Sequence, residues 1–162
     1  MIVVDTSALI TIASINLLDH VLSEYDLHTT ATVIEELEKT AEYDDVHGQA
    51  AQDVLDQLER IGVHNTNESS FQSSRIDEGE GTAASLANET QADFLITDDL
   101  RALPELQTVT HSNVVISPVL LKALVKRDLF DQEEALEKLD EAAENRDWLE
   151  SPIYRKAKNL FE

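Results

Sequence analysis

Residues 2–10, IVVDTSALI, set a carboxylate at the point where a buried strand should finish. Ile2, Val3 and Val4 are β-branched and apolar, as in a strand covered on both faces. Asp5 follows at once, then the hydroxyls of Thr6 and Ser7, then apolar residues at helical spacing. A strand running directly into a helix begins a strand-helix-strand unit, which points to a parallel sheet. Open parallel sheets bind ligands beyond the carboxyl ends of their strands, and Asp5 stands at such an end.

The same alternation continues. Further β-rich runs fall at 27–30, 62–65, 94–97 and 114–117. Helical spacing fills the intervals: residues 8–22 with a break expected near Asn16, 33–61 as one continuing helix, 81–89, and 100–106 across Pro104. The pattern predicts an α/β fold, a three-layer α/β/α sandwich around a mainly parallel central sheet. Residues 1–118 form that domain. After Pro118, placed as the first residue of a helix, no strand pattern appears. Residues 131–146, DQEEALEKLDEAAENR, read as a charged amphipathic helix with Ala135, Leu136, Leu139 and Ala143 inward. Ser151 and Pro152 then open a last helix as cap and first turn. Residues 119–162 are thus expected as a helical tail packed on the same domain, with Trp148 as an apolar anchor.

Composition bounds the chemistry. With 162 residues, 42% of them hydrophobic, the chain suits one domain with a proper core. It has no cysteine, which excludes disulfides and thiolate metal sites. The five histidines show no ligand spacing and are expected at the surface or in loops. No apolar run approaches the roughly 20 residues that span a bilayer, and no basic-then-apolar leader opens the chain, so a cytoplasmic protein without a membrane partner is expected. The net charge of −21, from 33 acidic and 12 basic residues, is spread along the sequence. At face value it argues against nucleic acid as a partner. In molar salt, however, the Debye length falls to about 3 Å and such repulsion is screened. An acidic, lysine-poor surface resembles that of proteins from salt-accumulating halophiles, and in that setting the charge would report the solvent rather than the ligand.

Four or five carboxylates converge on the expected rim. Asp5 ends the first strand, and Asp98 and Asp99 end the strand FLIT. Glu80 begins the helix after the polar stretch at 65–81, and Glu36 lies on the helix that follows the second strand. Crowded carboxylates repel unless a cation neutralises them, and hard oxygen donors suit Mg²⁺ or Mn²⁺. Such ions turn water into a nucleophile and clamp an in-line phosphodiester displacement. The hydroxyls of Thr6, Ser7 and Thr97 are placed to orient the ligands. Each carboxylate also has a plainer reading. Asp5 suits a helix N-cap, Glu80 favours its helix start, Glu36 sits beside Glu35 and Glu38 in a solvated run, and Asp98 or Asp99 caps a turn.

VVDTSALI (3–10), TVIEELE (32–38), DEGEGTAASLA (77–87) and FLITDDLRA (94–102) resemble the four acidic motifs of the PIN domain, in order and spacing. The nearest likeness is to the stand-alone, VapC-toxin-like branch, and it covers nearly the whole chain. The resemblance implies an α/β/α fold and metal-dependent endoribonuclease activity on RNA. Asp5, Glu36, Glu80, Asp98 and Asp99 would form the catalytic set. Asp5, Glu80, Asp98 and Asp99 would bind Mg²⁺ (or Mn²⁺), and Arg101 would contact phosphate. It further implies an antitoxin protein as partner and a homodimer. Two positions depart from the pattern: Gly81 and Thr82 stand where many relatives carry another acid, and no second arginine follows Arg101. The alternative is a catalytically weak PIN fold serving as a binding or dimerisation module. Other strand-end aspartate enzymes fit less well. Ser7 stands where a phosphoaspartyl hydrolase needs its second aspartate, and Val3 and Val4 where a response receiver needs an acidic pair.

Overall fold

The strand β1 (Ile2–Val4) is buried along its whole length at the centre of a five-stranded sheet. Its companions are β2 (Leu27–Thr30), β3 (Gly62–His64), β4 (Phe94–Ile96) and β5 (Asn113–Val115), in the order β3-β2-β1-β4-β5. Every neighbouring pair is parallel, with Ile2 opposite both Leu27 and Phe94. The structure is a computed structural model and describes residues 1–66 and 73–162; part of the polar stretch at 65–81 therefore lies outside the described residues. Helices cover both faces of the sheet: α1 (Thr6–Ser14), α2 (Leu18–Glu24), α3 (Ala31–Thr40), α4 (Val46–Leu55), α5 (Glu78–Thr90), α6 (Leu103–Val109), α7 (Pro118–Lys126), α8 (Gln132–Asn145) and α9 (Pro152–Asn159). This is the α/β/α sandwich of the sequence reading.

The strand order fixes where a ligand can bind. The chain runs from β1 outward through β2 to β3, then crosses to the other side of β1 for β4 and β5. The connections after β1 and β4 therefore diverge, toward β2 and β5 respectively, opening a crevice at the carboxyl ends of β1 and β4. Asp5 and Thr97 are the first residues beyond those ends, and the Asp5 amide donates to the Ile96 carbonyl at 3.1 Å.

Three expectations change in detail. Residues 33–61 are not one helix, because α3 stops at Thr40 and α4 begins at Val46. Asp45 caps α4 by accepting from the Gly48 amide at 2.7 Å, and a Cβ on Gly48 would stand 1.8 Å from the Tyr43 carbonyl oxygen. Apolar periodicity persists through that turn, so it could not reveal the break. The helix at 100–106 does not cross Pro104 but starts beside it, where proline is tolerated. Ser151 precedes α9 as expected, yet its hydroxyl donates back to the Trp148 carbonyl instead of capping. The break near Asn16 occurs as read, with Asn16 at φ 56° between α1 and α2.

Two of the five histidines lie in the sheet, not in loops. His28 on β2 and His64 on β3 approach to 2.9 Å between ring nitrogens. In the tail, Ala135, Leu139, Ala142 and Ala143 of α8 join the same core cluster as the sheet, as does Trp148. Among the described residues no single helix is long and apolar enough to cross a membrane.

Candidate active site

A cleft of about 310 Å³ opens at the β1–β4 crevice, and among the described residues five carboxylates line it: Asp5, Glu36, Asp77, Glu80 and Asp99. Each is fixed by local backbone chemistry before any ligand is considered. Asp5 is the N-cap of α1; its Oδ1 accepts from the Ala8 amide at 3.0 Å and from the Ser7 hydroxyl at 2.9 Å. Its Oδ2 is buried, and no group among the described residues meets it in hydrogen-bonding geometry. Burial pushes Asp5 from 3.8 up to about 7, against the lowering effects of the Thr97 hydroxyl, the Ala8 amide and the Ser7 hydroxyl, with Asp98 adding repulsion.

Glu80 is the third residue of a capping box. The Asp77 side chain accepts from the Glu80 amide at 2.8 Å, and Glu80 Oε2 accepts from the Asp77 amide at 3.2 Å. Burial, then repulsion from Asp77, raises Glu80 from 4.5 to about 9, with Asp99 adding to the rise, so near neutrality it holds its proton. Asp99 spends Oδ1 on a turn, accepting from the Arg101 amide at 2.8 Å and the Ala102 amide at 3.3 Å. Capping and ligation are therefore not rival readings of these residues. One oxygen of Asp5 holds the backbone while the second stays free for chemistry.

Glu36 reaches the cleft from the second turn of α3, where the Thr6 hydroxyl donates to its Oε1, while Glu35 points outward and is exposed. Burial raises the Glu36 pKa above its ordinary value, opposed by that hydroxyl. Its place depends on Gly79, since a Cβ there would stand 2.0 Å from Glu36 Oε1. A Gly79→Ala substitution should accordingly leave the fold intact, alanine being favoured over glycine inside a helix by about 1 kcal/mol. It should also swing the Glu36 carboxylate out of the cleft. Unchanged or higher thermal stability with reduced activity is the expected outcome. A large loss of stability would show that the α5 backbone, not the carboxylate, yields.

Asp98 and Asp99 part company. Asp98 is buried and does not line the cleft. Its Oδ1 accepts from the Ser117 amide and its Oδ2 from the Ser117 hydroxyl, both at 2.7 Å. Burial raises its pKa, and the Ser117 bonds and Thr11 oppose the rise. Ser7 links it to Asp5, because the Asp98 amide donates to the Ser7 hydroxyl at 3.0 Å and that hydroxyl donates to Asp5. Asp5 and the Asp98 backbone thus meet through one hydroxyl. Thr97 is fully buried, and its hydroxyl accepts from the Asp99 amide at 3.2 Å. Arg101 is exposed and stands outside the cleft lining.

Two charged residues of the lining, Asp77 and Arg146, are not among the site residues expected from the sequence. Asp77 is the N-cap of α5, a local role that by itself suggests no ligand. Arg146 ends α8, more than a hundred residues from the first motif, and reaches the cleft from the tail. Burial pulls its pKa below the ordinary guanidinium value, while Asp98 and Asp5 act the other way. Nothing in the run ENRDW distinguishes it from a solvated helix end.

The donor set suits a hard divalent cation. It is all oxygen, burial raises the Asp5 and Glu80 pKa values, a rise that a cation would offset, and Asp5 Oδ2 is a buried acceptor without a partner among the described residues. Among the described residues no three His, Asp or Glu side chains already converge as a finished coordination shell. Binding would require Glu80 to lose its proton. A family model described as a PIN domain matches residues 1–162, the full chain. No curated protein matches the sequence.

Proposed function

The chain belongs to the PIN-domain family, whose function is of the nuclease type, and on that premise we propose that it is a divalent-metal-dependent endoribonuclease. One observation carries the reading. Asp5, capped through one oxygen, lines a carboxylate-rich cleft at the crossover point of the sheet, and its second oxygen has no hydrogen-bond partner among the described residues. Asp5, Glu80 and Asp99 would hold Mg²⁺ or Mn²⁺, with Glu36 completing the rim. A bound ion of this kind supplies Lewis acidity and a water of lowered pKa.

The chain's own groups do the rest. Ser7 and Ala8 fix the Asp5 carboxylate against rotation, and Thr6 fixes Glu36. Asp98 is a positioning residue, tying the end of β4 to Ser117 at the start of α7 and so setting the direction of Asp99. Arg101, which is exposed, would meet the RNA backbone beyond the cleft.

The finer role, a toxin held in check by an antitoxin protein, rests on the resemblance to the VapC-like branch, as does a homodimer. A copurifying small protein that inhibits cleavage would establish the former. The charge of −21 fits a cytoplasm of molar salt, where screening lets RNA approach.

RNA cleavage should therefore appear with Mn²⁺ or Mg²⁺ in molar KCl, vanish with chelator, and fall at least about a hundredfold in Asp99→Asn. Cleavage that persists in chelator, or that Asp99→Asn leaves intact, would defeat the proposal.

A further inference from the structure

Arg146 is the one cation lining the carboxylate cleft among the described residues, and its neighbours fix it there. The Asn145 side-chain amide donates to the Ser14 carbonyl at 3.0 Å, and the Asn145 carbonyl meets His47 Nε2 at 2.9 Å. On the other side, Asp147 turns the chain at φ 56°, and the buried Trp148 donates its amide to the Ala143 carbonyl at 2.7 Å. Arg146 thus stands between two anchored residues at the end of α8, which is how a functional side chain is preorganised.

Despite that setting, no carboxylate claims it. Among the described residues the ion pairs within 4.0 Å do not include Arg146, and its buried Nε has no hydrogen-bond partner. Asp5 Oδ2, on the same cleft, is likewise buried and unpartnered. The cleft therefore presents an orphan acceptor and an orphan donor together. A divalent cation suits the first and is repelled by the second; an anion suits the second and is repelled by the first. A cation and an anion bound side by side satisfy both. The planar guanidinium matches phosphate oxygens as a fork, which a lysine ammonium does not.

We propose that Arg146 is a substrate-binding residue that holds the phosphate group beside the divalent ion, an inference that rests on the nuclease reading above. The tail then contributes to the site instead of merely covering the sheet.

Calorimetric titration tests this with Mn²⁺ alone, then with inorganic phosphate in the presence of Mn²⁺, on the wild type, Arg146→Gln and Arg146→Lys. Arg146→Gln should bind Mn²⁺ at least as tightly as the wild type, because a like charge has left the cleft. Its phosphate affinity should fall about tenfold or more, and kcat/KM on RNA should fall with it. Arg146→Lys should recover part of both. Phosphate affinity within twofold of wild type in Arg146→Gln would overturn the proposal. So would Mn²⁺ affinity falling in step with phosphate affinity, since that is the mark of a structural role.

If Arg146→Gln does not fold, Arg146→Lys decides. Weaker phosphate binding with unchanged Mn²⁺ binding supports the contact, and both unchanged overturns it, because a forked contact does not survive exchange for a point charge. Failure of the nuclease reading looks different. A wild type that cleaves no RNA, yet binds phosphate with Mn²⁺ through Arg146, keeps the contact and removes the reaction.

Discussion

Replacing Asp5 with asparagine should lower metal-dependent cleavage by about 10²–10³-fold or more, the cost of removing one preorganised electrostatic partner, while making the metal-free protein more stable above pH 7. The two effects share one cause. Asp5 is 2% exposed, and burial raises its pKa from 3.8 to about 7. Folding with an ionised Asp5 therefore costs up to about 4 kcal/mol, at 1.36 kcal/mol per pKa unit. Asparagine keeps the helix cap through its amide oxygen and removes the charge. It leaves an amide N–H₂ where Oδ2 stood, at a cost of about 1–3 kcal/mol. The net gain should be about 1–3 kcal/mol, a rise of several degrees in melting temperature for a chain of this size. Thermal melts at pH 8 with chelator, beside cleavage assays, provide the check. A variant melting below the wild type at pH 8 would mean that the Asp5 charge is favourable in the folded protein without metal, and its ligand role would be lost.

Acidification should stabilise the wild-type protein in the absence of metal, and divalent ions should reverse that trend. Asp5 and Glu80 both have folded pKa values raised above their unfolded ones, to about 7 and about 9. Between the unfolded and folded values the native state binds more protons than the unfolded chain, so stability falls as pH rises. Both groups contribute to the loss from about pH 5 to 7, and Glu80 alone from 7 to 9. A cation that binds only the ionised carboxylates contributes RT ln(1 + [L]/Kd), and its apparent Kd tightens as the protons leave. The rise in melting temperature on adding Mn²⁺ should thus be several degrees at pH 8 and near zero at pH 5.5. An equal rise at both pH values would place the ion elsewhere, on the acidic surface rather than on Asp5 and Glu80.

Much of the site was legible because the motif residues are also backbone-capping residues. Asp5 at the start of α1 and Glu80 in the capping box of α5 are set by spacings of three residues, which any reader of the chain can count. The same local logic hid the difference between Asp98 and Asp99. Adjacent residues leaving a strand point to different neighbours, and only the packing of α7 put Ser117 against Asp98 and left Asp99 to the cleft. Gly79 precedes Glu80 in the sequence, and nothing local to it points to Glu36. That it makes room for Glu36 depends on α3 lying against α5, a contact between segments about forty residues apart.

The linear chain by itself determined the alternation of strand and helix, hence a parallel sheet, and the carboxylates that gather beyond its strand ends. Those properties follow from β-branched runs, helical periodicity and short-range capping, all settled within a few residues. Which oxygen of each carboxylate remains free, which aspartate of the pair faces the cleft, and the arrival of Arg146 from the far end of the chain were decided by tertiary structure alone. They depend on burial and on partners brought together across the crossover of the sheet, and no local spacing encodes such a meeting.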